Sequence, residues 1–140
     1  VYTGEILPPD SDDYISTANL FAFQAKVIKE MAQNESCIIL GRCANYLLAD
    51  RKDLLRVFIH APLEAREARV ASYSLAWSPR EISRHIRVED KRRAAYYHYY
   101  TGEEWRDAAG YDLSLDSEAL GEDGCVERIM KILPLYSEKK

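Results

Sequence analysis

Two short apolar runs limit what this chain can fold into. Ser36-Cys37-Ile38-Ile39-Leu40 stops at Gly41, and Leu55-Arg56-Val57-Phe58-Ile59-His60 stops at Ala61-Pro62. Runs this short and this apolar, closed by turn residues, read as buried strands. Helical patterns surround them. Leu20, Phe21, Val27, Ile28 and Met31 recur at helical spacing from about Thr17 until Asn34, and Cys43 to Asp50 fits a short helix. Pro62 and Glu64 open a helix near Leu63 to Tyr73, and Ser78-Pro79 opens a longer one. Tyr111 to Leu115 is a third strand candidate, followed by a closing helix over Gly124 to Leu135. Strands alternating with helices imply an α/β fold, a three-layer parallel sheet flanked by helices. In such sheets ligands sit beyond the carboxyl ends of the strands, here Gly41-Arg42, Ala61-Pro62 and Asp116-Ser117.

With 140 residues, 47% of them hydrophobic, the chain suits one domain with a core of its own. We divide it into a loop (1–17), core helices and strands (18–74), a lid-like helical region (75–105) and a final strand and helix (106–140). Cys37, Cys43 and Cys125 have no C-x-x-C spacing and no histidine at ligand spacing, which argues against a disulfide framework or zinc and fits a reducing cytoplasm. No apolar run nears the roughly 20 residues that cross a bilayer. A net charge of −4 argues against general nucleic-acid binding, so any affinity for phosphate must be local.

Arginines supply that local charge. Arg42 directly follows a strand candidate, where its fork of donors suits a phosphate, although a surface pair with a carboxylate is the plainer reading. On the long helix, Arg80, Arg84, Arg87 and Lys91 share one face, either solvated or sweeping over a polyphosphate. Ile82, Ile86, Asp90, Arg93 and Tyr97 share roughly the opposite face, toward the protein body or a cleft. As a surface i,i+3 pair, Asp90 and Arg93 would contribute only about 0.2–0.5 kcal/mol. Arg66 and Arg69 could reach the cleft, with an interface pairing as the competing account for Arg66. The run Tyr96 to Tyr100 reads as core packing before base stacking. His60 and His85 receive no chemistry. A phosphate-binding loop needs a glycine-rich turn between strand and helix, and none of the six glycines builds one.

Four segments, in order and spacing, resemble the cytidylate-kinase-like family over about residues 18 to 136. They are Ile38-Ile39-Leu40-Gly41-Arg42-Cys43, Val57 to Arg69, Asp90-Lys91-Arg92-Arg93-Ala94-Ala95-Tyr96-Tyr97, and Leu115-Asp116-Ser117-Glu118-Ala119-Leu120. The resemblance implies the fold of P-loop nucleoside monophosphate kinases and ATP-dependent phosphoryl transfer, with Mg²⁺ accompanying ATP, to a small phosphorylated acceptor such as CMP. It implies that Arg42 binds the acceptor phosphate and that Asp90 and Arg93 contact the acceptor nucleotide, which makes Arg42 and Arg93 the candidate catalytic arginines. Arg66 and Arg69 would approach ATP or the lid hinge, with Arg87, Lys91 and Arg92 as further ATP or lid residues.

Three departures accompany the resemblance. Leu40 and Cys43 flank Gly41-Arg42 where cytidylate kinases proper carry aspartates, Tyr96 to Gly102 replaces a proline-rich stretch, and the family's first strand and phosphate loop have no counterpart before Val1. The expectation is therefore an N-terminally incomplete kinase-like domain, possible as a homo-oligomer, with no nucleic-acid or membrane partner. A non-catalytic nucleotide-binding or regulatory module, and a same-fold kinase for another metabolite, are the alternatives.

Overall fold

The computed structural model describes residues 1–137. Helix α1 (Thr17–Asn34) starts where the Ser16 side chain accepts the Asn19 N–H, and it buries Phe21, Ala22, Ala25 and Ile28 on one face. The loop before it is pinned rather than loose. Buried Asn19 accepts the Leu7 N–H at 2.8 Å and donates to the Tyr14 carbonyl at 2.8 Å, while the Tyr2 N–H reaches the Tyr100 carbonyl at 2.8 Å.

After α2 (Ala44–Leu47) comes strand β1 (Val57–His60), then α3 (Leu63–Tyr73) and the long α4 (Pro79–Thr101). Ser78 and Glu81 form a reciprocal capping box with Pro79 in the first turn, and Gly102, at φ 74°, ends α4 in the left-handed region that favours glycine. A 3₁₀ turn (Ala108–Gly110) leads into β2 (Leu113–Asp116), and α5 (Ser117–Ile132) and α6 (Pro134–Ser137) close the described chain. The expected closing helix begins earlier than its apolar pattern suggests, because the Asp116 carboxylate accepts the Glu118 and Ala119 N–H groups. Gly121 kinks it at φ 69°, ψ 172°.

β1 and β2 pair in parallel, Val57 opposite Leu113 through His60 opposite Asp116. The Arg56 guanidinium grips the Asp112 carboxylate through both Nε and Nη2, at 3.1 and 3.0 Å, next to where the ladder begins. The architecture is thus mixed α/β, a two-strand parallel sheet flanked by helices. The strand expected over 36–40, the first of the three, does not form. A strand exists only through ladder hydrogen bonds, and among the described residues nothing pairs with that segment. Its side chains still alternate: Ile39 packs on the Ile28, Ala44 and Leu48 cluster, while Ile38 and Leu40 are 92% and 86% exposed.

The main core joins α1 to the C-terminal half of α4. Phe21 stacks on Tyr100 with ring centroids 3.8 Å apart and planes at 6°, and Ala25, Cys43 and Tyr97 complete the cluster. The aromatic run of α4 thus packs into the core, the role expected before base stacking, through Tyr97 and Tyr100, while Tyr99 turns outward. No helix among the described residues is long and apolar enough to cross a membrane.

Candidate functional site

Helical periodicity turns Asp90 toward α3. Ile82, Ile86 and Tyr97 are buried along that side of α4, and the Asp90 side chain is only 18% exposed. The Arg66 guanidinium meets it in a bidentate pair, with both bonds at 2.7 Å. Arg106, from the loop after α4, donates to Asp90 Oδ2 at 2.9 Å, and Arg93 approaches Oδ1 at 3.4 Å. Three guanidinium groups thus share one carboxylate. The interface pairing weighed for Arg66 is what the fold contains, and it joins α3 to α4. Arg93 departs from the expected inward face, since its side chain is 53% exposed.

The Arg66 hydrogen bonds, reinforced by the charges of Arg66, Arg106 and Arg93, hold the Asp90 carboxyl below its usual range. The same bond raises Arg66. A carboxylate depressed by folding stabilises the native state above its unfolded pKa, and that stabilisation is lost as pH falls through the lower, folded value. Asp90→Asn should therefore cost about 1 kcal/mol near neutral pH, discounted for the partial exposure of the partners. The difference from the parent protein should shrink in acid below the ordinary aspartate range. Denaturant titrations of both proteins at neutral and acid pH check this, and a difference independent of pH would refute it.

Arg42 lies in an unusual turn. Gly41, Arg42 and Cys43 have φ values of 68°, 56° and 58°, so two non-glycine residues occupy the left-handed region. That conformation costs about 1–2 kcal/mol per residue. The Ala44 N–H closes the turn on the Gly41 carbonyl at 3.1 Å, and Cys43 anchors it as a buried side chain whose thiol is pushed up to about 11 by desolvation. Arg42 itself is exposed. Its guanidinium lies by the Tyr96 hydroxyl, where it opposes the rise in pKa that burial imposes on that phenol. Tyr96 follows Arg93 by three residues, so Arg42 stands beside the helix that carries Asp90 and Arg93.

Along one face of the β1–β2 pair, as far as its carboxyl ends, runs an open cleft of ≈ 460 Å³, lined by Phe58, His60, Pro62, Arg106, Tyr111 and Asp116 among others. Only its His60, Pro62 and Asp116 end reaches the strand-end position where a parallel sheet places ligands. Phe58 forms the aromatic floor, 4.9 Å from Tyr111 and 5.7 Å from Trp105 by ring centroid. Asp116, besides bordering the cleft, caps α5. Arg42 does not line the cleft. The remaining candidates are scattered: Arg69, Arg87 and Lys91 are exposed, and Arg92 pairs with Glu89 at 2.7 Å on the outer surface. Arg106 went unnoticed in the sequence because it sits in a loop with no period. Its only local signal is its place between Trp105 and Asp107.

These features define an α/β protein in which three arginines gather on one aspartate at the junction of two helices, next to an open cleft on the two-strand sheet. The chain belongs to the cytidylate kinase-like family, whose model matches residues 2–119. A solved structure of an uncharacterized protein from Eubacterium ventriosum resembles it with a TM-score of 0.73 at 21% identity, covering 90% of this chain and 75% of that one. At that identity the likeness concerns the fold. Among curated proteins no match was found.

Proposed function

We propose that the protein takes part in phosphoryl transfer from ATP to a small phosphorylated acceptor, most simply a nucleoside monophosphate such as CMP. The observation that carries this reading is the position of Arg42 by Tyr96, one turn along α4 from Arg93. Two guanidinium groups from separate segments can then neutralise one phosphate. Membership of the cytidylate kinase-like family supports the reaction class.

In this reading Arg42 and Arg93 hold the acceptor phosphate and balance charge as the transferred group develops it. Asp90 orients a sugar hydroxyl with whatever acceptor capacity its arginines leave. Fixing the acceptor in line with the donor, rather than removing a proton with a dedicated base, supplies most of the rate. Arg66 links α3 to α4 so that both move as a unit. Arg69, Arg87, Lys91 and Arg92 present further positive charge toward the donor side as the helical region closes and excludes water. Mg²⁺ would arrive on the ATP phosphates. ATP itself requires a glycine-rich loop that these 140 residues do not contain, within the wider P-loop kinase fold that the reading assumes.

The test is a coupled ADP-release assay on the protein expressed from its complete reading frame, with ATP and a panel of nucleoside monophosphates and other phosphorylated metabolites. ADP release that depends on one acceptor class is the expected result. Nucleotide binding without ADP release from any acceptor would instead favour a non-catalytic, nucleotide-sensing role and overturn the transfer reading.

A further inference from the structure

Arg106 is built into two places at once. Its guanidinium donates to Asp90 at 2.9 Å, and it also lines the cleft along β1 and β2. The loop around it is pinned. The Trp105 ring meets Phe58 edge-on at 5.7 Å, the Trp105 carbonyl accepts the Tyr111 hydroxyl at 2.7 Å, and Asp107 caps the following turn by accepting the Ala109 N–H at 3.0 Å. The guanidinium is further placed over the Trp105 ring, 5.1 Å from its centroid. A long side chain on a loop would otherwise sample many rotamers. Here its base is fixed and only its tip has a choice of partners.

The donors around Asp90 are unequally committed. Arg66 spends both terminal nitrogens in the bidentate pair and is 25% exposed. Arg106 makes one bond and is 56% exposed, and Arg93 makes one long contact and is 53% exposed. The cluster carries three positive charges against one negative charge, and its spare N–H donors belong to the two arginines that reach solvent.

We infer that Arg106 is a phosphate-binding residue of this site: with Arg93 it forms a clamp for a phosphate or diphosphate group at the mouth of the cleft, and Asp90 is its partner in the ligand-free state. This assignment rests on the proposed phosphoryl-transfer reading for its biological meaning, and on the cluster alone for its chemistry. It assigns Asp90 a second task, because a carboxylate that shares its arginines with an incoming phosphate sets how tightly that phosphate is held.

Calorimetric titration of the protein with inorganic pyrophosphate tests the clamp, using the parent protein, Arg106→Ala, Arg106→Lys, Asp90→Asn and Arg42→Ala, with thermal melts to confirm that each is folded. Arg106→Ala should weaken binding at least tenfold, and Arg106→Lys should recover part of the loss because charge returns without the fork. Asp90→Asn should tighten binding, since it removes the competing anion. A merely structural Arg106–Asp90 pair would move both substitutions in the same direction. Repeating the titrations with a nucleoside monophosphate separates a nucleotide's phosphate from free phosphate as the ligand. Absence of pyrophosphate binding to the parent protein, or unchanged affinity in Arg106→Ala, overturns the inference. If Arg42→Ala weakens nucleotide binding while Arg106→Ala does not, the clamp fails and the transfer reading stands. If Arg106→Ala weakens pyrophosphate binding but no acceptor supports ADP release, the clamp stands and the transfer reading fails.

Discussion

Replacing Phe21 with alanine should destabilise the protein by about 3–5 kcal/mol, the cost of removing a large aromatic from a packed interior together with the cavity left behind. Phe21 is 2% exposed and touches aromatic rings on three sides: Tyr100 stacked at 3.8 Å, Tyr2 edge-on at 5.2 Å and Tyr96 edge-on at 5.9 Å. None of these neighbours can swing in to fill the space without breaking its own contacts. Tyr100 donates to the Thr17 carbonyl at 3.2 Å, and Tyr2 is tied to α4 through its backbone. For a chain of this size the melting temperature should fall by roughly 10–20 °C. Leu20→Ala, on the same helix but 58% exposed, is the control and should stay within about 0.5 kcal/mol of the parent protein. Equal melting temperatures for the two variants would mean that the α1–α4 core is not where the stability lies. The same substitution should loosen Tyr96, the residue beside Arg42, so loss of phosphate binding should accompany the loss of stability.

Arg42→Ala should reduce kcat/KM for the phosphorylated acceptor at least tenfold, which corresponds to about 1.4 kcal/mol or more of lost transition-state stabilisation. Guanidinium forks bind phosphate through charge-assisted, directional hydrogen bonds, and Arg42 is exposed enough to offer them. The unusual backbone supplies an internal control. Because Arg42 sits at φ 56°, glycine is the residue that this position prefers, and Arg42→Gly should hold or raise the melting temperature while losing the same activity. Activity and stability would then move in opposite directions, which separates a functional arginine from a structural one. An Arg42→Gly protein with undiminished kcat/KM would remove Arg42 from the site. Two strained residues in a row, held by buried Cys43, are the kind of local cost that a fold retains where a side chain must be aimed.

Much of this molecule was legible along the chain. The bounds of α1 and α3 followed from apolar spacing and from Pro62, and the start of α4 from Ser78-Pro79, with the Glu81 half of its capping box visible only in the structure. The inward position of Tyr97 followed from the same periodicity that buries Ile82 and Ile86. Less legible was the segment 36–40. Its composition is that of a strand, but a strand is a property of two segments, and a single run cannot announce whether its neighbour is present. The beginning of α5 was hidden for a related reason, since Asp116 acts as its cap only once β2 delivers it there.

The candidate site divides in the same way. Residue type and helical spacing placed Asp90 and Arg93 together on α4, because positions three apart on a helix are neighbours whatever else the chain does. That Arg66 takes both oxygens of Asp90, that Arg106 joins from a loop sixteen residues further on, and that Arg42 comes to rest by Tyr96 are decided by tertiary structure alone. Local order follows from interactions within a few residues, which sequence displays directly. The charge balance of a site depends on which distant side chains the fold brings within a few ångströms of one another, and Coulomb energies change too steeply with that distance to be read before the chain has folded.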